Sequence, residues 1–189
     1  MKRVLLLLSP GFEEMEAVTP LDLLRRAGIE VISASIGPDL QVTGSHGIRI
    51  EADKKIGDCL EEAFDLVLLP GGPGVEGLRK DERVLALVRR AHASGVPLAA
   101  ICAAPLVLAD AGVAKDHRIT SFPSARNELQ DRIREYSEDR VVRDGKVITS
   151  RGAGTAEEFS LDLIAFLIGP EASEKVRTSI IARPSNPAG

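Results

Sequence analysis

Short, largely apolar runs alternate along the chain with stretches of helical period. Val4–Leu8, Val31–Ser35, Leu66–Leu69 and Leu98–Ile101 have the length and apolar content of strands buried on both faces. Between them, Glu13–Ala27 and Asp81–Ala93 read as amphipathic helices, with a shorter helical stretch at Leu60–Ala63. In the second helix Val84, Leu85, Leu87, Val88 and Ala91 fall on one side, while Glu82, Arg89 and Arg90 fall on others. Gly28 and Gly95 lie just past the two clear helices, where a left-handed cap is expected. Strand–helix alternation of this kind predicts an α/β fold, a mostly parallel central sheet with helices on both faces.

The second half is more varied. Gln41–Ile50 reads as a hairpin with Gly44 near its turn. Val141–Arg143 and Lys146–Thr149, joined through Asp144-Gly145, make a stronger hairpin signal. Arg118–Ser121 reads as a further strand and Pro105–Ala111 as a helix. Thr155 is placed to cap a helix that runs through Ile168, with Glu158 completing a capping box. A last helix is expected over Glu171–Ile181, and the Pro-containing tail Arg183–Gly189 is expected to fray. No repeat or linker divides residues 1–182, which read as a single domain.

Composition narrows the function classes. Hydrophobic residues make up 44% of the 189 and aromatics only 3%, so a sizeable core must be built from Leu, Val, Ile and Ala. A net charge of −4, with Lys and Arg dispersed among acids, argues against specific nucleic-acid binding. Two cysteines, Cys59 and Cys102, give neither a secreted disulfide framework nor zinc-ligand spacing, and no metal is called for. Lys2 and Arg3 ahead of Val4–Leu8 imitate a signal peptide, but Gly11-Phe12-Glu13-Glu14 follows where a cleavage site would stand. The apolar run is far too short to span a membrane, and a reducing cytoplasm is the expected setting.

The candidate chemistry gathers at one predicted edge. The run ending at Ile101 turns at Cys102 and enters a helix at Pro105, which sets a thiol at the carboxyl end of a strand. That position near a helix start favours the thiolate, so Cys102 is expected to be ionised and nucleophilic. Pro70-Gly71-Gly72-Pro73-Gly74 follows Leu66–Leu69 at the same edge, and the N–H groups of Gly72 and Ala103 are suited to hold an oxyanion. Glu13, Glu14 and Glu16 follow the first strand. The helix dipole accounts well for Glu13 and Glu14, but the residues alone do not choose which of the three turns toward the thiol. His46, His92 and His117 are the only histidines; none follows residue 117, which leaves a usual Cys/His hydrolase with poor support.

Together, Glu13-Glu14-Met15-Glu16, Leu24–Ile29, Leu68–Gly72, Ala99–Pro105 and Thr149–Thr155 resemble the ThiJ/PfpI superfamily, in its DJ-one/YajL-like branch. The resemblance runs from residue 1 to about residue 182. It implies a flavodoxin-like three-layer sandwich and a homodimer. It also implies that Cys102 is the reactive elbow cysteine, Glu16 its carboxyl partner, and Gly71, Gly72 and Ala103 the backbone around them. The activity it implies needs no cofactor: a glyoxalase acting on methylglyoxal, or a deglycase acting on its adducts. It implies as an alternative an oxidative-stress sensor and chaperone that oxidises the same cysteine. Two positions depart from many members, the first in a way that YajL-type sequences share, and a third excludes a neighbouring branch. Phe122 stands where many members carry a histidine near the thiol, which removes an obvious base. His46 stands where an arginine lies near a dimer interface, and with Phe122 and Arg26 it is a candidate substrate or interface contact. Ala103 replaces the histidine of the peptidase branch, and no downstream His-x-Glu supports an amidotransferase.

Overall fold

The side chains of β1 (Arg3–Leu8) divide between two apolar layers: Leu5 and Leu7 enter one, and Val4, Leu6 and Leu8 the other. A strand with both faces covered needs no polar alternation, which is why this run reads as continuously apolar. The computed structural model describes residues 1–183.

The strands in chain order are β1, β2 (Glu30–Ser35), β3 (Gln41–Thr43), β4 (Arg49–Glu51), β5 (Lys54–Lys55), β6 (Leu66–Leu69), β7 (Leu98–Ile101), β8 (Arg118–Ile119), β9 (Glu135–Tyr136), β10 (Val141–Asp144) and β11 (Val147–Ser150). Seven of them form one sheet in the order β10-β11-β7-β6-β1-β2-β5. All neighbours are parallel except the β10–β11 hairpin, which closes one edge. The helices are α1 (Glu14–Arg26), α2 (Ile56–Cys59), α3 (Val75–Lys80), α4 (Glu82–Ala93), α5 (Pro105–Asp110), α6 (Arg126–Leu129), α7 (Ala156–Ile168) and α8 (Pro170–Ser179). Leu23 and Leu24 of α1, Phe159 and Leu163 of α7 and Val176 of α8 pack on one face of the sheet. Leu78, Val84, Leu87, Val88 and Val107, from α3, α4 and α5, pack on the other. This is the three-layer α/β sandwich expected from the alternation. Its core is aliphatic, with Phe12 and Phe159 the only large aromatics fully buried among the described residues. No helix is long and apolar enough to cross a membrane among the described residues.

Several local expectations need correction. Leu60–Ala63 is not helical; the short helix is α2, one turn earlier, because Ile56 and Cys59 are the apolar pair that reaches the core. Thr155 precedes α7 as expected but does not cap it. Its hydroxyl is 2.6 Å from that of Ser150 and accepts from Gly152 N–H at 3.1 Å, while Glu158 pairs with Arg140 at 2.7 Å. The expected strand Arg118–Ser121 pairs only over β8, since Ser121 and Phe122 turn toward the thiol loop. The last helix begins at Pro170 and ends at Ser179. Beyond Arg183 the expected frayed tail lies outside the described residues. Gly28 and Gly95 do take left-handed conformations, with φ of +78° and +70°.

The chain crosses from β2, on one side of β1, to β6 on the other. Such a reversal leaves a crevice at the carboxyl ends of the strands. Glu16 follows β1, the glycine loop follows β6 and Cys102 follows β7, so all three meet there.

Candidate active site

Two loops make the floor of this crevice. Gly74 N–H donates to Gly11 O at 2.8 Å and Glu13 N–H to Gly71 O at 3.0 Å, which locks the loop after β1 against the loop after β6. The approach leaves no space for side chains. A Cβ on Gly72, where φ is +85°, would sit 2.5 Å from Glu13 N, and one on Gly71 would sit 2.5 Å from both Cys102 Cβ and Glu16 Oε2.

Cys102 itself is left-handed, with φ of +65°. This conformation is costly for a residue with a Cβ, by about 1–3 kcal/mol, and persists only where the surroundings impose it. Here Cys102 N–H donates to Ser150 O at 2.9 Å, and Cys102 O accepts from Phe122 N–H at 2.8 Å. Both backbone groups of the elbow are thus tied down, and the sulfur is aimed at the floor. Around the sulfur stand the Gly72 and Ala103 N–H groups, which favour its charged form, and the Glu16 carboxyl, which opposes it. Glu16 is 1% exposed and its Oε2 accepts from Gly71 N–H at 2.9 Å. Glu13 caps α1 by accepting from Glu16 N–H at 3.0 Å. The thiol opens into a cavity of about 330 Å³ walled by Pro73, Val75, Leu106 and Phe122, with Glu76 and Ser124 as its polar side chains.

A left-handed cysteine at a strand end, a buried glutamate against it and a doubled glycine loop beside both match a known pattern. The sequence matches the DJ-1/PfpI family over residues 2–166. The chain belongs to the DJ-1/PfpI family. It is 39% identical over 181 residues to Protein dj-1beta of Drosophila melanogaster, covering 95% of this chain and 97% of that one. The crystal structure of that DJ-1beta superposes with a TM-score of 0.93 at 40% identity, covering 96% and 98% of the two chains. A Caenorhabditis elegans relative named a glutathione-independent glyoxalase is 34% identical over 176 residues, 93% of this chain and 94% of that one. An oxidized Toxoplasma gondii DJ-1 superposes with a TM-score of 0.91 at 34% identity, covering 96% and 99%. The sheet order and helical layers are accordingly those of the flavodoxin-like DJ-1 proteins.

The electrostatics of this DJ-1/PfpI site differ from the sequence expectation. Burial pushes the Glu16 carboxyl up to about 7, against the pull of its hydrogen bonds to Cys102 and Gly71. Burial, and after it the Glu16 charge, pushes the Cys102 thiol up to about 12, while the Gly72 and Ala103 N–H groups pull it down. Burial thus opposes the ionised sulfur that the helix start alone would favour, and a charge on Glu16 opposes a second one on Cys102. The two acids behave as a pair. Above the Glu16 transition they hold one proton and one negative charge between them. Moving that proton from sulfur to carboxyl makes the thiolate without adding net charge to the crevice.

Among the candidate contacts, only Phe122 lines the cavity. His46 does not reach the thiol. Its ring pairs with Glu14 at 2.8 Å and its backbone N–H donates to the other Glu14 oxygen at 2.6 Å. Those contacts, with Ser45, hold the buried Glu14 carboxyl down at about 2 and raise His46. Glu14 thus ties the β3–β4 turn to the start of α1. Glu13, Glu14 and His46 are the only group among the described residues with metal-ligand atoms within 4.8 Å of one another. The Glu14 oxygens there are already engaged by the hydrogen bonds just given. Arg26, a candidate substrate or interface contact, lies at the far end of α1 from the cavity and pairs with Asp22 at 2.8 Å. His117 packs edge-on against His92 and lies 3.6 Å from Asp144, at the opposite end of the sheet. Both cysteines are free, and Cys59 is buried in the core. Sequence reasoning missed Val75, Leu106 and Ser124 as lining and Gly152 behind the Phe122 ring. Their only signal is proximity to the loops already marked.

Proposed function

We propose that this chain is a cofactor-independent glyoxalase that converts methylglyoxal to lactate, and glyoxal to glycolate, through Cys102. The observation that supports it best is the convergence of the left-handed Cys102 and the buried Glu16 carboxyl on Gly71, beside the glycine loop. The sulfur adds to the aldehyde carbon, and the resulting alkoxide takes the proton from Glu16. The Gly72 and Ala103 N–H groups, which face the sulfur in the free site, lie where they stabilise the developing oxyanion. Glu16, now a carboxylate, carries the C1 proton to C2 while the hydroxyl proton on the C1 oxygen passes to the C2 oxygen through the enediol, which turns the hemithioacetal into a thioester. Water then breaks the carbon–sulfur bond, lactate leaves, and the thiol regains its proton. Oxidation at C1 balances reduction at C2, so no external redox partner enters. Deglycation of methylglyoxal adducts would begin from the same sulfur. The test is lactate formation from methylglyoxal with no thiol added; metal- and glutathione-free protein is expected to form it catalytically, and its absence would overturn this reading.

A second reading rests on Phe122, which leaves the cavity without a histidine base. In that reading Cys102 is a peroxide sensor whose output is chaperone activity: the thiolate attacks peroxide, forms sulfenate and releases water or hydroxide, and Glu16 with the two N–H donors holds the new oxygen. A Cys102 sulfinate by mass spectrometry after mild peroxide, together with no lactate, selects it.

We also propose a homodimer built on α1 and the β3–β4 turn, where Met15, Val18 and Ile48 expose apolar side chains. Light scattering is expected to give twice the chain mass of 20.2 kDa; a monomer mass would sink the proposal.

A further inference from the structure

The cavity wall carries information about the electrophile that the floor does not. Pro73, Val75, Leu106 and Phe122 form an apolar side above the thiol, and none of the side chains lining the cavity is basic. Phe122 is 47% exposed, so its ring is open to a molecule entering the cavity. Two local features place this residue. Its backbone N–H donates to Cys102 O at 2.8 Å, and its Cδ2 lies 3.3 Å from where a Cβ on Gly152 would stand. The backbone of Phe122 is thereby held beside the sulfur, and the missing side chain at Gly152 leaves room for the ring.

The charge pattern points the same way. The Cys102–Glu16 pair carries one negative charge under the cavity, and Glu76 adds another at its rim, partly offset by Arg79 at 3.3 Å and Lys80 at 3.5 Å. An incoming carboxylate or phosphate meets these charges with no cation on the wall. The volume, about 330 Å³, lies within the range of about 300–1,000 Å³ for small-molecule sites and is poorly filled by a single methyl group.

We propose that this site selects neutral carbonyl compounds bearing an apolar, ring-sized substituent, with Phe122 as the specificity-determining wall, and turns away anionic ones. The proposal deepens the glyoxalase reading by naming its substrate class, but its test does not depend on turnover. Cys102 is alkylated with iodoacetamide, N-phenyl iodoacetamide and iodoacetate, followed by intact mass. In each case the sulfur–carbon bond forms, iodide leaves and the thiol proton passes to buffer. Rates are divided by those of glutathione at the same pH, and Cys102→Ala supplies the background from Cys59.

The normalised rate is expected to be about tenfold higher for the phenyl reagent than for iodoacetamide, and about tenfold lower for iodoacetate. Phe122→Ala is expected to bring the phenyl preference to within about twofold, with Phe122→Leu between. A parallel comparison of phenylglyoxal with methylglyoxal is expected to favour phenylglyoxal in kcat/KM by about tenfold. Equal normalised rates for the three reagents in the wild-type protein would overturn the proposal, whether or not lactate forms. A selective alkylation series with no lactate would overturn the glyoxalase reading and leave the selective wall standing.

Discussion

Replacing Cys102 by alanine is expected to abolish lactate formation from methylglyoxal, a fall of at least about a thousandfold, because no other group in the crevice can make the covalent intermediate. The fold should survive. Alanine keeps the Cβ, so the left-handed strain at φ +65° is unchanged. What is lost is the sulfur, with its contacts in the crevice. A cooperative urea transition with no activity would therefore assign the loss to the sulfur. Wild-type turnover by the alanine variant would end the mechanism.

Glu16→Gln is expected to lower kcat by roughly a hundredfold to ten-thousandfold, since the amide accepts from Gly71 N–H but moves no proton. The same variant should be more stable than the wild type at neutral pH. Burial raises the Glu16 carboxyl from an ordinary 4.5 to about 7. Between those values the folded protein holds a proton that the unfolded chain has released, so stability falls as pH rises through the interval. The shift corresponds to a penalty on the order of 3 kcal/mol above pH 7, absent below about pH 4. Melting temperatures of the two proteins should converge near pH 4 and separate toward pH 8, with the glutamine variant higher. A difference constant across that range would show that Glu16 is not a buried acid with a raised pKa.

The strands β1, β2, β6 and β7 were legible because burial on both faces leaves a continuous apolar run. The two-residue strands β5 and β9 were not, since two residues carry no period. Cys102 stood out because an apolar run meets Pro105 within three residues of it, which forces a turn. Glu16 could not be separated from Glu13 and Glu14 on local grounds. Its inward turn depends on Gly71, 55 residues away, just as Glu14 is claimed by His46, 32 residues away. The raised thiol was equally hidden, because the burial that causes it comes from three separate loops.

The interlocked glycines divide the crevice into two parts with different histories of change open to them. Gly71, Gly72 and Gly74 touch neighbouring backbone directly, so nearly any replacement there displaces the reacting sulfur. Of the apolar wall, Val75 and Leu106 are also packed into the core, whereas Phe122 is half-exposed. New preferences for reactants can therefore arise by exchanging Phe122 while the reaction machinery beneath stays as it is, which makes this position a favourable starting point for redesign.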